Sequence, residues 1–135
     1  MNSPFEENLP KNQANYSPLT PLSFLTRTAE VFPERTAVIH GEIKRSWRET
    51  LKRCTRLASA LKKKGVVQGT TVSVMAPNVP ELLEAHFGVL MIGGVLNALN
   101  IRLEAETLAY ILEHGESQVL ITDREFSPVI QKVLQ

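Results

Sequence analysis

The stretch TVSVMAPNVPELLEAHFGVLMIGGVLNALNIRLEAETLAYILEHGESQVLIT, residues 71–122, decides the fold because strand-like and helix-like patterns alternate along it. Short apolar, β-branched runs stand at 71–75, 95–99 and 117–122, and each has the length of a buried strand. Segments with helical character separate them. This alternation predicts right-handed βαβ crossovers and a parallel sheet.

Capping residues bound the helices of this region. Asn78 is expected to cap a helix that runs to residue 91. Residues 104–114 predict a second helix that ends at Gly115, and a last helix should begin near residues 126–128. The predicted order is therefore β-α-β-α-β-α.

A helix and a hairpin are predicted before this region. Thr20 and Pro21 suit an N-cap and a first helical position, and the helix should end before Pro33. The run TAVIH at 36–40 can pair with residues 43–45 across a tight turn, which predicts a short β-hairpin.

Ser46 opens the helix with the strongest sequence signature. Glu49 follows it at the capping-box spacing, and an apolar stripe then continues to Gly65. The stripe consists of Trp47, Leu51, Cys54, Leu57, Ala58 and Leu61. The fold class is therefore α/β: an N-terminal β-hairpin plus parallel-sheet βαβ units, with helices packed on the sheet.

Composition is that of an ordinary globular chain, with 43% hydrophobic and 21% charged residues. Residues 1–18 are polar and aperiodic, so we expect a flexible N-terminal arm followed by one α/β unit over 19–135. A single cysteine excludes an internal disulfide, and the sequence contains neither a secretory signal nor an apolar run that could span a membrane. These features predict a cytoplasmic location.

The net charge of +1 hides a segregated distribution. Nine of the fifteen basic residues lie within 44–64, where Glu49 is the only acid. This basic helix could bind nucleic acid, an anionic membrane surface or the phosphates of coenzyme A. We favour a solvated helix face formed by Arg48, Lys52, Arg56 and Lys63, and we expect no nucleic-acid partner because no aromatic residues interleave with the cations.

The loops after the predicted strands are the natural place for a ligand in a parallel sheet. Neither Ala76-Pro77-Asn78 nor the segment 100–102 resembles a glycine-rich phosphate loop. Asn78 is adequately explained as a helix cap. Asn97, Asn100 and Arg102 form a polar group near a strand end, which leaves both a functional role and simple turn formation open.

No other residues form a convincing catalytic or metal site. His40, His86 and His114 lack the close spacing of metal ligands, and His86 is expected to be partly buried and hydrogen-bonded. Cys54 should be an inert core thiol. Six acids are assigned to helix starts or exposed faces: Glu81, Glu84, Glu104, Glu106, Glu113 and Glu116. We therefore assign no catalytic, cofactor-binding or metal-binding residue.

From Tyr16 onward the chain resembles the first segment of acyl-CoA synthetases of the AMP-binding, adenylate-forming superfamily, especially fatty-acyl and medium-chain types. The resemblance rests on the order and spacing of the following stretches: SPLTPLSFL, RTAVIHG, SWRETLKRCTRLASAL, VSVMAPNVPELLEAHFGV, GGVLNALNIRL and LAYILEHGESQVLITD. Relatives often carry Ser, Thr or Asp where this chain has Glu104, so the start of that helix should be less sharply defined.

The resemblance implies a parent enzyme that uses ATP, magnesium and coenzyme A to convert a carboxylic acid to an acyl-adenylate and then to acyl-CoA. It also implies a Ser/Thr/Gly-rich phosphate loop, an aromatic-Thr-Glu segment, a Thr-Gly-Asp segment and a C-terminal catalytic lysine. None of these motifs occurs between Met1 and Gln135. We therefore expect a partial domain that binds no cofactor and is inactive alone, with the remainder of the synthetase as its partner.

A different class of function stays open at this point. The chain could be a stand-alone binding or assembly module, which would self-associate through an uncovered apolar surface or bind a partner through the basic helix. The sequence does not distinguish the acid that a parent enzyme would activate, nor the oligomeric state.

Overall fold

The structure is a computed structural model that describes residue 12 and residues 19–135. The predicted flexible arm at 1–18 therefore lies outside the described residues, apart from Asn12. From residue 19 the chain forms one mixed α/β unit with the predicted order of helices and strands.

The first helix, α1, spans Pro21–Val31. Thr20 caps it, because its hydroxyl accepts a hydrogen bond from the Ser23 backbone N–H. The Ser23 hydroxyl in turn accepts a hydrogen bond from the Thr20 backbone N–H. The hairpin follows as strands β1 (Thr36–His40) and β2 (Ile43–Ser46), which pair antiparallel. Both predictions are confirmed.

Helix α2 spans Trp47–Lys63 and begins with the predicted capping box. The Glu49 carboxylate accepts from the Ser46 backbone N–H at 2.8 Å, and the Ser46 hydroxyl accepts from the Glu49 N–H at 3.2 Å. Its buried face holds Cys54, Ala58 and Leu61 from the predicted stripe, together with Thr50.

A three-stranded parallel sheet forms the centre of the unit. Its strands are β3 (Thr71–Met75), β4 (Val95–Ala98) and β5 (Ser117–Thr122), arranged in the order β4-β3-β5. Both neighbours of β3 run parallel to it. The predicted parallel sheet is confirmed, with the earliest of its strands in the middle.

Three further helices connect and follow these strands. They are α3 (Pro80–Gly88), α4 (Ala105–His114) and α5 (Ser127–Val133). Short 3₁₀ turns lie at Leu90–Ile92 and Arg124–Phe126. The predicted α3 was too long, because the α-helix ends at residue 88 and only the 3₁₀ turn continues it.

The prediction that Asn78 caps α3 is wrong. Val79 occupies the N-cap position in an extended conformation, and its side chain makes no capping bond. The reason is Pro80, whose fixed φ and missing N–H suit the first helical position and so set the cap one residue after Asn78. Glu104, at the N-cap of α4, also makes no side-chain capping bond, as expected for that substitution.

Helices cover both faces of the sheet, each over its own apolar core. One core lies on the α2 and α3 side and contains Leu61, Val66, Val72, Val74, Ala85 and Val89. The other lies on the α4 and α5 side and contains Met75, Leu99, Leu108 and Ile130. Alternate residues of β3 point into the two cores, as the period of a strand requires.

Candidate functional site

The loops after the three parallel strands meet at one end of the sheet. The Asp123 backbone N–H donates to the Met75 carbonyl at 3.1 Å, and the Leu99 N–H donates to the Val74 carbonyl at 2.9 Å. The ends of β5 and β4 are thus both bonded to the end of β3. This is the edge where a ligand would bind in an open parallel sheet.

The polar residues predicted near this edge are not brought together. Asn97 lies within β4, and its amide donates to the Ser73 hydroxyl, which also bonds the Ser117 hydroxyl at 2.5 Å. Asn100 instead accepts from the backbone N–H of Arg102 at 2.9 Å, in a local turn. Asn97 therefore satisfies polar groups inside the sheet and Asn100 shapes a loop, which favours the structural interpretation of both.

Four charged side chains near the carboxyl end of β3 form a cluster that the sequence analysis missed. Arg45 on β2 and Arg53 on α2 both bond the same Glu84 oxygen at 2.5 Å. The same two guanidiniums bond Glu81 at 3.0 and 3.1 Å. We call these four residues the Arg–Glu cluster. It joins the hairpin, α2 and α3 at one point.

Burial makes the cluster more than a surface ion pair. The Glu84 side chain is 7% exposed and that of Arg45 is 14% exposed. A buried carboxylate must be compensated by charge and hydrogen bonds, and two guanidiniums supply both. Glu84 was predicted to lie on an exposed face, and that prediction is wrong.

The electrostatics of the cluster favour its charged forms. The hydrogen bond to Glu84 raises the pKa of Arg53 above its ordinary value, against the opposing effect of desolvation. Desolvation alone would raise the pKa of Glu81, but the hydrogen bond from Arg45 and the charges of both guanidiniums leave it lowered. Both shifts favour the charged forms of Arg53 and Glu81, in which the carboxylate accepts hydrogen bonds from the guanidinium.

One signal in the sequence could have indicated which face of α3 is buried, although not the partners of Glu84. Glu84 shares a helix face with Ala85 and Gly88, small residues that allow another helix to approach closely. A Cβ built on Gly88 would lie 3.0 Å from the Cys54 carbonyl oxygen of α2. The small residues Ala85 and Gly88, rather than Leu83, therefore mark the face of α3 that contacts α2.

A groove of about 450 Å³ opens beside the cluster. Arg53, Glu81 and Glu84 border it, and Thr122 and Asp123 lie at the end of β5. Its remaining lining is mostly apolar: Leu57, Val74, Ala76, Val79, Leu82, Ala85 and Ile121. An apolar groove with a charged border at the carboxyl end of the strands is the most site-like surface of the described chain.

The histidines lie apart from this groove. His86 bonds the Leu82 carbonyl at 2.8 Å as expected, but it is exposed rather than partly buried. It lines a second apolar groove of about 530 Å³ with His40 of the hairpin. His114 stacks on Tyr110 with ring centroids 5.5 Å apart. Neither groove contains the arrangement of an acid–base pair.

Cys54 is buried, as predicted. Desolvation raises the pKa of its thiol to about 11, with a further contribution from the negative charge of Glu84. Burial confirms that Cys54 is a core residue, and the raised pKa disfavours the reactive thiolate at neutral pH.

Only some of the cations of the basic segment 44–64, which comprises the end of β2 and helix α2, are free to face solvent. Arg45 and Arg53 are neutralised within the Arg–Glu cluster, and Arg48 pairs with Glu34 at the surface. The remaining cations are exposed: Lys44, Lys52, Arg56, Lys62, Lys63 and Lys64. Arg48, Lys52, Arg56 and Lys63 are all exposed, as the predicted solvated face requires.

Within residue 12 and residues 19–135, no three His, Cys, Asp or Glu side chains come close enough to hold a metal ion. The carboxylates of Glu81 and Glu84 each already bond two guanidiniums. No helix of the same residues is long and apolar enough to cross a membrane. The residues described here therefore do not fit a magnesium site of their own.

Comparison with known protein families identifies the family of this chain. The family model described as AMP-binding enzyme matches residues 25–135. The chain belongs to the AMP-binding enzyme family. The Arg–Glu cluster and the parallel sheet lie within the matched part of this AMP-binding enzyme segment.

Individual relatives agree with this assignment. The AMP-binding enzyme segment is 50% identical over 129 residues to an acetate/butyrate–CoA ligase of Arabidopsis thaliana, described as peroxisomal, covering 96% of the chain and 23% of the relative. A putative long-chain-fatty-acid CoA ligase structure from Rhodopseudomonas palustris superposes with a TM-score of 0.81 at 32% identity. That match covers 86% of this chain and 30% of the other.

An anthranilate CoA ligase, solved in complex with anthranoyl-AMP, gives a TM-score of 0.81 at 26% identity. The match covers 84% of this chain and 22% of that ligase. The chain thus spans under a third of the length of each of these three proteins.

Proposed function

We propose that this chain is the N-terminal part of the catalytic domain of an acid–CoA ligase that forms an acyl-adenylate intermediate. The observation that carries the proposal is the family match over residues 25–135, together with 50% identity to an acetate/butyrate–CoA ligase. The remainder of the ligase is then its principal partner.

The reaction proposed for the whole ligase has two displacement steps. In the first, a carboxylate oxygen of the acid bonds the α-phosphorus of ATP, the bond between the α- and β-phosphates breaks, and pyrophosphate leaves. In the second, the thiolate of coenzyme A bonds the acyl carbon, and AMP leaves with the electron pair of the broken C–O bond. Magnesium, when bound, would neutralise phosphate charge.

This chain contributes support rather than reacting groups to that chemistry. The Arg–Glu cluster fixes the hairpin and α3 relative to α2, and the ends of β3, β4 and β5 are bonded to one another. A rigid support is what a downstream binding loop needs to hold its substrate in place. We assign no residue of this chain to ATP, magnesium or coenzyme A, and we propose that the chain alone is inactive.

The names of the relatives bear on which acid the proposed ligase activates. The three relatives act, by their names, on acetate or butyrate, on long-chain fatty acids and on anthranilate. The sequence resembles fatty-acyl and medium-chain synthetases, but it does not distinguish the acid. The higher identity to the acetate/butyrate ligase leads us to propose a short aliphatic acid.

The cellular location stays a prediction. The sequence features suggested the cytoplasm, whereas the Arabidopsis relative is described as peroxisomal. Both compartments are compatible with a single buried cysteine that forms no disulfide.

The proposal is tested with the polypeptide encoded by the whole gene that carries this segment. It is incubated with ATP, magnesium, coenzyme A and, in turn, acetate, butyrate, palmitate and anthranilate. We expect acyl-CoA and an equal amount of pyrophosphate, with the highest kcat/KM for a short aliphatic acid. Formation of no acyl-CoA from any acid would contradict the ligase assignment, whereas a preference for palmitate would contradict only the proposed acid.

A further inference from the structure

Helix α2 carries a row of cations along the face opposite its buried residues. The row, which we call the cationic row, consists of Arg48, Lys52, Arg56 and Lys63, and all four are exposed. At the rise of an α-helix it is about 22 Å long. The exposed residues that separate these cations on the same face are Thr55 and Ser59, so the face contains no large apolar side chain.

The charges of the row are largely uncompensated. Within the described part of the chain, Lys52, Arg56 and Lys63 form no ion pair. Arg48 pairs with Glu34, but both side chains are more than half exposed, and such pairs exchange readily with solvent. The neighbouring carboxylate of Glu49 accepts a hydrogen bond from the backbone at the start of α2. The row therefore keeps a net positive charge at the surface.

The distribution of charge over the whole chain strengthens this asymmetry. Residues 44–64 contain nine basic residues and one acid, whereas the remaining residues contain six basic and thirteen acidic ones. A molecule divided in this way turns its basic side toward an anionic surface and its acidic side away from it. The near-neutral total charge therefore does not prevent electrostatic binding through α2.

The shape and composition of the row distinguish between anionic partners. A protein partner needs an apolar interface core in which lysine is depleted, and this face has the opposite composition. Single-stranded nucleic acid needs aromatic stacking platforms, and the exposed face of α2 has none. A small phosphate needs donors that converge, but the depression of about 290 Å³ beside Lys52 and Arg56 also contains the Glu49 carboxylate.

From these observations we propose that the cationic row of α2 binds the surface of an anionic phospholipid bilayer. A bilayer surface is extended and carries many negative charges without a fixed pattern, which suits a straight row of long, flexible cationic side chains. The apolar face of α2 is buried in the protein, so the helix contacts lipid headgroups and does not insert into the acyl chains. Binding of this kind would hold the ligase at a membrane surface and goes beyond its catalytic activity.

Vesicle co-sedimentation of the whole-gene polypeptide tests the binding. The probes are phosphatidylcholine vesicles with and without phosphatidylserine, at about 50 mM and about 300 mM salt. We expect binding to the vesicles that contain phosphatidylserine at the lower salt concentration, and its loss at the higher one. Pure phosphatidylcholine vesicles should bind no protein at either concentration.

A matched pair of triple variants locates the surface. Because each cation near an anionic bilayer contributes about a factor of five, the variant with Lys52→Gln, Arg56→Gln and Lys63→Gln should lower the partition coefficient by roughly 100-fold. The control carries Arg27→Gln, Arg124→Gln and Lys132→Gln, which remove the same charge from exposed positions outside α2. It should bind within about threefold of the wild-type polypeptide, because its cations lie outside the row. Circular dichroism and acyl-CoA formation should be unchanged in both variants.

The other results overturn the inference in distinct ways. Absence of binding at the lower salt concentration shows that the row is only solvated or is covered in the longer polypeptide. Equal losses in the two triple variants assign the binding to net charge rather than to α2. Release from the vesicles by coenzyme A at matched ionic strength assigns the row to a soluble phosphate ligand, and tighter binding to duplex DNA than to the vesicles assigns it to nucleic acid.

Discussion

The two faces of the parallel sheet are covered by helices in different ways. Under α4 and α5 the core consists of large apolar side chains, centred on Leu108 and Met75, both fully buried. Under α2 and α3 the helices approach closely over Ala85 and Gly88, and a buried carboxylate, Glu84, lies at the border of the contact. The first face gains stability from apolar burial, and the second also depends on charge compensation and on a close fit.

The two faces restrict the arrangement of the helices to different degrees. Apolar contacts tolerate rearrangement as long as volume is kept, whereas a buried carboxylate accepts only the geometry in which its partners reach it. We infer that the Arg–Glu cluster sets the position of α3 relative to the hairpin. The α4 and α5 side should tolerate exchange of one large apolar residue for another.

The largest effect is expected on the apolar face. Leu108→Ala should lower the free energy of unfolding by about 3 to 4 kcal/mol, because it leaves a cavity at a fully buried position. Urea denaturation followed by circular dichroism measures it. The control Tyr110→Ala, on the same helix but 63% exposed, should cost about 1 kcal/mol or less. Equal losses in the two variants would contradict the assigned core.

Glu84→Gln tests the charged face directly. It leaves two guanidiniums beside a neutral amide, so we expect a loss of about 2 to 3 kcal/mol in urea denaturation. Glu34→Gln is the matched control, because its pair with Arg48 is exposed at both side chains and should be worth no more than about 0.5 kcal/mol. A loss at residue 84 no larger than that at residue 34 would show that the cluster does not hold α3.

Most helices and strands could be predicted from the sequence, but the Arg–Glu cluster could not. The capping box at Ser46 and the stripe of α2 are local signals, and they gave the correct bounds of that helix. The strands β3 and β5 were also recognised by their apolar runs. Local patterns were sufficient there because the same residues form the element and face the core.

Helix α3 shows why the remainder could not be predicted. His86 is expected from the sequence to be partly buried, yet His86 and Leu83 are both exposed. The buried Glu84 depends on Arg45, 39 positions away, and on Arg53, 31 positions away, so no local pattern records the pairing. Long-range charge compensation thus explains why the Arg–Glu cluster was missed.

Gly88→Ala tests the close approach of α2 and α3. The added methyl would lie 2.9 Å from a Leu57 side-chain carbon and 3.0 Å from the Cys54 carbonyl oxygen, and the backbone atom cannot rotate away. We expect a net loss of about 1 to 2 kcal/mol in thermal or urea unfolding, despite the higher helix propensity of alanine. A gain in stability would indicate that the helices are farther apart than the structure shows.

The smallest effect is the pH dependence of Glu81. Its pKa is lowered from the ordinary value of 4.5, so the folded state favours the ionised form. The stabilisation is present in full above that value and is lost as the pH falls through the lowered pKa. Because Glu81 is half exposed, we expect less than about 1 kcal/mol at pH 7.

The free energy of unfolding, measured from pH 7 to pH 3, should decline less steeply in Glu81→Gln than in the wild-type chain. Glu113→Gln, on the exposed part of α4, serves as the control and should keep the wild-type slope. Identical slopes in the wild-type chain and Glu81→Gln would show that the guanidiniums do not stabilise this carboxylate.

The central claim is that this chain supports the chemistry of a ligase without performing it. The most direct measurement is release of pyrophosphate and acyl-CoA by the purified 135-residue chain with ATP, magnesium, coenzyme A and butyrate. The account predicts no product above a protein-free control, since we assign no residue of the chain to ATP, magnesium or coenzyme A. Acyl-CoA that increases in proportion to the concentration of the chain would contradict it.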